Sequence, residues 1–269
     1  MNVKPLEAVL IREIQSEEAE SLNFLAEAIE QIINIGTHFI KWETDRGDVP
    51  VETTPLIMMH RHILEMGDAV SILISSSSID PCKALLRSIW ETSLQIEYLL
   101  KDPEKMGFCY ITCHHNKMIK LHKRFIKNSF EQKEYINQLK GKSFIDIDIK
   151  NLSDPNAENE VKGFEKLLED EYFKIYQKEY LRTLQKNKNP EWYSLFDGPK
   201  TCLELAAELK KKDMYEFLYR FFSSTVHGSD LLNSNLRILP NGYAEASYIR
   251  NNEHVSETAS MAIQLLLYI

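Results

Sequence analysis

Apolar residues recur every three or four positions along most of this chain, which is the spacing of helices with one buried face. The clearest run follows Ser16 and ends at Trp42. Its apolar residues are Leu22, Leu25, Ala28, Ile29, Ile32, Ile33 and Phe39. Only nine glycines and nine prolines interrupt the 269 residues, so tight turns are few. The pattern predicts an all-α protein built as a helical bundle.

Turn residues divide the rest of the chain into further helices. We predict these helices at about 55–77, 80–100, 104–128, 131–140, 164–184, 201–212, 213–227 and 256–269. Residues 141–163 are polar and predict an insertion. Short apolar alternation around Asn241-Gly242 predicts a small β-hairpin near the C-terminus. We expect one domain over residues 1–269, with its core at about 55–228.

Charge and cysteine content narrow the functional class. The net charge of −8 argues against a broad surface that coats nucleic acid, although a local basic groove is compatible with it. The four cysteines do not form a disulfide framework, and the first residues lack the apolar stretch of a signal peptide. The longest apolar run, near residues 69–74, is too short to cross a membrane. We therefore expect a cytoplasmic protein with reduced thiols and no membrane partner.

The stretch from Arg220 to His227 contains the residues that most directly suggest a function. Seven residues are close to two helical turns, so a cation and a titratable imidazole leave the same helix face. Such a pair can bind a phosphate and move a proton, and Ser223 and Ser224 between them can donate hydrogen bonds. The alternative is structural: His227 caps the helix beside Gly228, and Arg220 forms a surface ion pair.

A second charged pair, Arg87 and Glu91, lies four residues apart on a mostly apolar helix. Charged side chains on such a helix are either partly buried or line a cleft. Two interpretations stay open: a structural ion pair within one helix, and a pair that belongs to a functional site.

Both stretches have counterparts in known families. The Arg220–His227 stretch resembles the Arg-x(4–6)-His motif of the HEPN superfamily, whose all-α domains include many metal-independent endoribonucleases. Together with Arg87-Ser88-x-x-Glu91, the Ser-x-x-Val-His-Gly sequence that ends at Gly228 resembles an uncharacterised bacterial helical family. The resemblance covers about residues 55–228. Phe221 stands where these nucleases usually carry a small polar residue, so Arg87 is an alternative source of the cation.

The resemblance implies a function and a set of roles. The protein would be a metal-independent endoribonuclease, acting as a toxin or an antiviral defence effector. His227 would be the acid–base group, Arg220 with Arg87 would hold the phosphate, and Glu91 would position Arg87. Two motif helices would meet across a homodimer, so a homodimer is implied, with RNA and a further protein as other partners. The alternative function is a non-catalytic HEPN-like binding or scaffold module.

Two other clusters are candidate binding sites. A basic face with an RNA-binding role is predicted on the helix at 104–128, formed by Lys117, Lys120, Lys123, Arg124 and Lys127. Solvated charges on an amphipathic helix are the alternative. Cys109, Cys113, His114 and His115 share a short stretch, but structural zinc sites normally use Cys-x-x-Cys pairs. We therefore expect packed cysteines with exposed histidines, no metal and no cofactor, and keep a metal-dependent hydrolase as a third hypothesis.

Overall fold

The fold is all-α, as the periodicity predicts. The computed structural model describes residues 16–140, 152–226, 236–246, 249–250 and 252–268. The helices in these ranges are α1 (Ser16–Asp45), α2 (Thr54–Ser75), α3 (Asp80–Leu99), α4 (Pro103–Lys123), α5 (Phe130–Leu139), α6 (Ala157–Leu168), α7 (Glu171–Leu184), α8 (Cys202–Glu208), α9 (Lys212–Val226) and α10 (Val255–Leu267). Short 3-10 helices lie at Val51–Thr53 and Trp192–Asp197. No helix in the described ranges is long and apolar enough to cross a membrane.

The predicted β-hairpin is also confirmed. Strands β1 (Leu236–Ile238) and β2 (Ala244–Ala246) pair antiparallel, with Arg237 opposite Glu245. Gly242 in the connecting turn has a φ of +80°, a backbone conformation that glycine adopts without a steric penalty.

The helices group into two compact units. Unit 1 contains residues up to 101 and from 202 onward, and unit 2 contains residues 102–201. Within unit 1, α3 contacts α2, α8, α9 and α10, while α1 contacts α2 and α10. Within unit 2, α4 contacts α6, α7 and the second 3-10 helix. That all these helices form one domain stays a prediction.

Proline and short polar side chains set where the helices begin. Pro55 and Pro81 occupy the first turns of α2 and α3, where the missing N–H group is not needed. The Asp102 carboxylate caps α4 by accepting from the Lys105 N–H at 3.3 Å, and Asp170 caps α7 by accepting from the Tyr172 N–H at 3.1 Å.

Helices α1 and α2 approach closely because Gly36 lacks a side chain. A Cβ atom at this position would lie 2.6 Å from Leu64 Cδ2, which is too close for two carbon atoms. The Gly36 carbonyl oxygen lies 3.3 Å from His60 Nε2, so the close approach also gives this imidazole a partner. These contacts at Gly36 fix the position of α2 against α1.

The core of unit 1 centres on α3. Trp90 is fully buried there, and its neighbours Leu86, Ile89 and Leu94 are buried with it. The turn between α2 and α3 is held from the C-terminal part of the chain. Ser77 has a φ of +55° and donates from Oγ to Asn252 Oδ1 at 2.6 Å.

Unit 2 differs from the sequence prediction at one long helix. The sequence predicts a single helix at 164–184, whereas α6 ends at Leu168 and α7 begins at Glu171, with Asp170 as the new cap. Helix α6 begins at Ala157, inside the range predicted as a polar insertion at 141–163. Its buried residues Ala157 and Val161 have helical spacing, but the many polar residues around them led to the prediction of an insertion.

A carboxylate fixes the 3-10 segment of unit 2. Glu179 on α7 is buried and accepts hydrogen bonds from Arg182 at 2.8 Å and from the Phe196 backbone N–H at 2.7 Å. Phe196 has a φ of +57°, a strained conformation for a residue with a large side chain. The hydrogen bond from Arg182, aided by the Phe196 N–H, lowers the pKa of Glu179 to about 2 although burial opposes this shift.

The Glu179 network should make unit 2 sensitive to acid. Between the unfolded carboxyl pKa of about 4.3 and the folded value, the unfolded chain binds more protons, so stability falls as the pH falls. Glu179→Gln should lower the free energy of unfolding at pH 7 by about 2 kcal/mol, because the charged acceptor is lost. It should also flatten the pH dependence of stability below pH 4.5, which urea unfolding at several pH values would measure.

Glu158→Gln is the matched control, because Glu158 pairs with Lys162 at 2.7 Å while both side chains are exposed. Its unfolding midpoint should barely move. Equal effects of the two substitutions would contradict the role given to Glu179.

Candidate functional site

The two helices that carry the sequence motifs pack against each other in antiparallel directions. Going up α3, Lys83 Nζ lies 5.9 Å from the Phe221 ring centre and Arg87 Cζ lies 4.2 Å from that of Tyr219. Further on, Glu97 pairs with Lys211 at the start of α9. As the residue numbers increase along α3, the numbers of their contact residues along α9 decrease. The two helices therefore run antiparallel.

Arg87 forms the centre of this contact. Its Nε donates to Glu91 Oε1 at 2.8 Å, and its guanidinium stacks on the Tyr219 ring. The side chains of Arg87 and Glu91 are 20% and 29% exposed. Burial works to lower the pKa of Arg87, but the hydrogen bond and the charge of Glu91 outweigh it and raise the pKa overall. The guanidinium therefore stays charged, and its charge is balanced within the protein.

Tyr219 extends the contact toward α8. Its ring stacks on Tyr215 with ring centres 5.2 Å apart, and Tyr215 is hydrogen-bonded to Cys202. Burial raises the pKa of the Cys202 thiol to about 11, so this sulfur is a protonated packing group at neutral pH. The contact therefore offers no thiolate nucleophile.

Ser88, next to Arg87, faces a different helix. Its Oγ lies 3.1 Å from His62 Nε2 on α2, and both side chains are partly buried. The sequence around His60 and His62 predicts polar residues on the solvent-facing side of a helix. This prediction is wrong for the two histidines, because both imidazoles make contacts between helices. The Arg-Ser-x-x-Glu motif thus contacts α9 through its charged residues and α2 through its serine.

The remaining predicted site residues lie further along α9. Arg220 is exposed, and none of the described residues forms an ion pair with it. Ser223 and Ser224 lie in the last turns of α9, where only their backbone is described. His227 lies outside the described residues. Arg220 and Val226, the last residue of α9, are about 9 Å apart along the helix axis at 1.5 Å per residue.

Helix α9 also carries a partly exposed apolar stripe. Met214, Phe217 and Phe221 follow each other at spacings of three and four and are 45%, 66% and 44% exposed. Arg220 lies at the edge of this stripe. A helix face with three large apolar residues beside a cation is suited to a contact that brings another surface close to Arg220.

The predicted basic face of α4 is engaged in pairs within unit 2. Lys117 pairs with Glu191 at 3.1 Å, and Lys123 pairs with Glu165 at 3.0 Å. The other contacts are Lys120 Nζ with Asn189 Oδ1 at 3.3 Å and Arg124 Cζ over the Tyr135 ring at 5.2 Å. Lys127, beyond the end of α4, is exposed. An RNA-binding role for these five residues stays a prediction, and most of their charge has a protein partner.

The cysteine and histidine cluster of α4 has a packing role. Cys109 and Cys113 are buried as predicted, and burial raises the pKa of each thiol to about 12. His114 is exposed, but the expectation is wrong for His115, whose ring lies 5.1 Å from that of Phe164. Among the described residues, no three side chains of the metal-binding types lie close enough to hold an ion.

The role of Tyr219 and Tyr215 in this contact was not predicted from the sequence. Their spacing of four places both rings on one helix face, and that face also points toward α3. The spacing was a usable signal for a ring pair. The identity of its partner, Arg87, depends on how α3 and α9 pack and is not encoded locally.

The Arg87–Glu91 pair should couple more strongly than an exposed pair of the same spacing. A double-mutant cycle with Arg87→Ala and Glu91→Ala should give a coupling energy of about 1–2 kcal/mol, because both side chains are mostly buried. Arg61 and Glu65 on α2 form the matched control, since they pair at 2.6 Å but are both more than half exposed.

The control cycle should give about 0.3–0.5 kcal/mol. Thermal or urea unfolding of the six variants and the parent protein measures both values. Indistinguishable coupling energies would mean that Arg87 and Glu91 do not act as a buried pair.

Comparison with known proteins places the chain in a family. A model of DUF5677, a family of unknown function, matches residues 53–243. The matched range contains both motif stretches, from Arg87 to Glu91 and from Arg220 to His227. A search among curated proteins found no significant match, and neither did a search among solved structures. Because the matched range covers well over half of the 269 residues, the chain belongs to the DUF5677 family.

Proposed function

We propose that this protein is a metal-independent endoribonuclease of the HEPN type that works as a homodimer. The observation that carries the proposal is the position of Arg220. This cation is exposed at the edge of the apolar stripe of α9, on the helix that leads to His227. A second molecule packed on the stripe would lie beside Arg220 and enclose it.

The proposed chemistry needs one base, one acid and a cation. The base removes the proton of the ribose 2′-hydroxyl, whose oxygen attacks the adjacent phosphorus. The acid protonates the departing 5′-oxygen as its bond to phosphorus breaks. His227 supplies the imidazole for these proton transfers. Arg220 holds the negative phosphate oxygens, and Ser223 and Ser224 donate further hydrogen bonds.

A homodimer explains how one histidine per chain serves both proton transfers. A two-fold axis brings the same helix from each copy to one place, so two imidazoles become available, one as base and one as acid. Met214 and Phe217 on the exposed stripe would form the apolar part of the contact. The need for two imidazoles and the exposed Met214 and Phe217 on the same helix both support the dimer.

Arg87 is better suited to position α9 than to bind the substrate. Glu91 balances its charge, and the Tyr219 ring covers one face of its guanidinium. A phosphate would have to displace a partly buried carboxylate to reach it. In the proposed enzyme, Arg87 and Glu91 therefore hold the helix that carries Arg220, and Arg220 supplies the cation.

The biological setting comes from the family resemblance. HEPN nucleases act as toxins or as antiviral defence effectors, so we propose such a role in the cytoplasm, with RNA as substrate and a regulatory protein as a further partner. The α4 lysines would contribute through long-range attraction of RNA, since exposed ion pairs such as Lys117–Glu191 exchange partners at low cost.

The alternative function is a non-catalytic HEPN-like binding or scaffold module. Phe221 favours it, because an exposed ring follows Arg220 where these nucleases usually carry a small polar residue. The balanced charge of Arg87 also fits a module that has no need of a second cation. RNA cleavage separates the two functions.

The proposal predicts cleavage of total cellular RNA and tRNA in the presence of EDTA. His227→Ala should reduce the rate at least about 100-fold, because the proton transfers are lost. Arg220→Ala should reduce it by a comparable factor, through loss of phosphate binding. Gel analysis of purified variants over a time course measures each rate.

Arg61→Ala is the matched control for Arg220→Ala, because Arg61 is also an exposed helical arginine of unit 1. Its rate should equal that of the parent protein. Absence of cleavage by the parent protein with any of these RNAs would favour the non-catalytic module. Equal cleavage by the parent and His227→Ala would show that the proposed site is wrong.

A further inference from the structure

The outer face of α1 has the repeat of a coiled coil. One set of residues follows alternating spacings of four and three, which keeps them in a single line along the helix. These residues are Phe24, Ala28, Gln31, Ile35, His38 and Trp42. From Phe24 to Trp42 the line is about 27 Å long at 1.5 Å per residue.

This line faces away from the bundle. Residues Leu22, Ala26 and Ile29 bury the opposite face of α1, while Phe24 is 72% and Trp42 is 58% exposed. Ile35 and Phe39 are also more than half exposed. The face has an ordered aromatic end, where the Trp42 ring lies 5.8 Å from that of His38 and 5.5 Å from that of Phe39.

We propose that this face binds α1 of a second copy of the chain, as an antiparallel two-helix coiled coil. The antiparallel register places the two aromatic ends of the line opposite each other and sets the small side chain of Ala28 against the larger imidazole of His38. Phe24 of one copy lies opposite Trp42 of the other, and Ala28 lies opposite His38. Gln31 lies opposite Ile35, so the six positions give six layers related by a two-fold axis.

The charges beside the line select the antiparallel direction. Glu27 and Lys41 occupy the same flank of the line, 14 residues apart, and both are exposed. In an antiparallel pair with this register, Glu27 of each copy lies beside Lys41 of the other. Asn34 lies beside its own counterpart at the two-fold axis, where two amides can exchange hydrogen bonds. A parallel pair would place Glu27 beside the other copy's Ile32.

The buried area is in the range that a specific contact needs. A buried aromatic side chain removes about 150–250 Å² from water. With Phe24, Phe39, Trp42 and Ile35 from both copies, and allowing for their partial exposure, the total is on the order of 1,000 Å². This area is at the lower end for stable association, so dissociation should be measurable at micromolar concentrations.

This contact is distinct from the α9 contact of the proposed nuclease. Helix α1 contacts α2 and α10, whereas α9 contacts α3 and α8, so the two exposed faces belong to different helices of unit 1. If both contacts form and their two-fold axes meet at right angles, the assembly closes at four copies. Each contact can then be removed without removing the other.

Light scattering coupled to size exclusion tests the α1 contact on the full chain. Trp42→Glu should halve the molar mass of the parent assembly, while circular dichroism confirms that the helices are retained. Phe217→Glu removes the α9 contact instead and leaves the α1 contact in place. A variant with both substitutions should be a monomer.

Charge exchange tests the direction of the helices. Glu27→Lys and Lys41→Glu should each raise the dissociation constant about tenfold or more, because like charges then meet in both symmetry-related pairs. The double variant should restore the parent value. Glu30→Lys is the matched control, since Glu30 is exposed on α1 away from the line, and it should change the dissociation constant little.

Three results would overturn the proposal: a monomeric parent protein at high concentration, a molar mass that Trp42→Glu does not change, or single charge reversals that the double variant does not rescue. If only Phe217→Glu lowers the mass, the α9 contact of the proposed nuclease stands and the α1 contact is rejected.

Discussion

The packing of unit 1 depends on the partners that the charged residues of its central helix, α3, find on other helices. Four other helices pack on α3, so Arg87, Glu91 and Glu97 sit at partly buried positions where an unpaired charge would be costly. Glu97 accepts from Lys211 at 2.6 Å and from the Tyr268 hydroxyl. Despite burial, these hydrogen bonds lower the pKa of Glu97. Lys211 lies next to the start of α9, and Tyr268 lies next to the end of α10. Their contacts with Glu97 therefore fix the positions of both helices against α3.

The direction of α9 follows from the same constraint. With Lys211 held at Glu97 and Tyr219 held at Arg87, α9 is fixed at two points about two helical turns apart. Tyr219 and Arg220 are consecutive, so the buried contact of one residue determines where the next residue is presented. An exposed cation held by a rigid helix is a suitable group for binding phosphate, and this is the structural basis of the proposed nuclease.

Helix periodicity and turn residues were enough to predict the all-α class, the C-terminal hairpin and most helices, because these depend on local spacing. The break between α6 and α7 was missed since the Asp170 cap interrupts the pattern without glycine or proline. Within the candidate site, the Arg87–Glu91 contact could be predicted from the spacing of four. Its Tyr219 partner and the His62–Ser88 contact could not, because each joins residues from different helices through packing.

The chemistry of the RNA ends tests the proposed function most directly. Attack by the ribose 2′-hydroxyl leaves a 2′,3′-cyclic phosphate on one fragment and a 5′-hydroxyl on the other. The decisive measurement is mass spectrometry of a short RNA cleaved by the parent protein in EDTA, beside the same RNA with 2′-O-methyl groups. The proposed mechanism predicts cyclic phosphate ends and an intact methylated RNA. Fragments with 3′-hydroxyl ends, or cleavage of the methylated RNA, would contradict it.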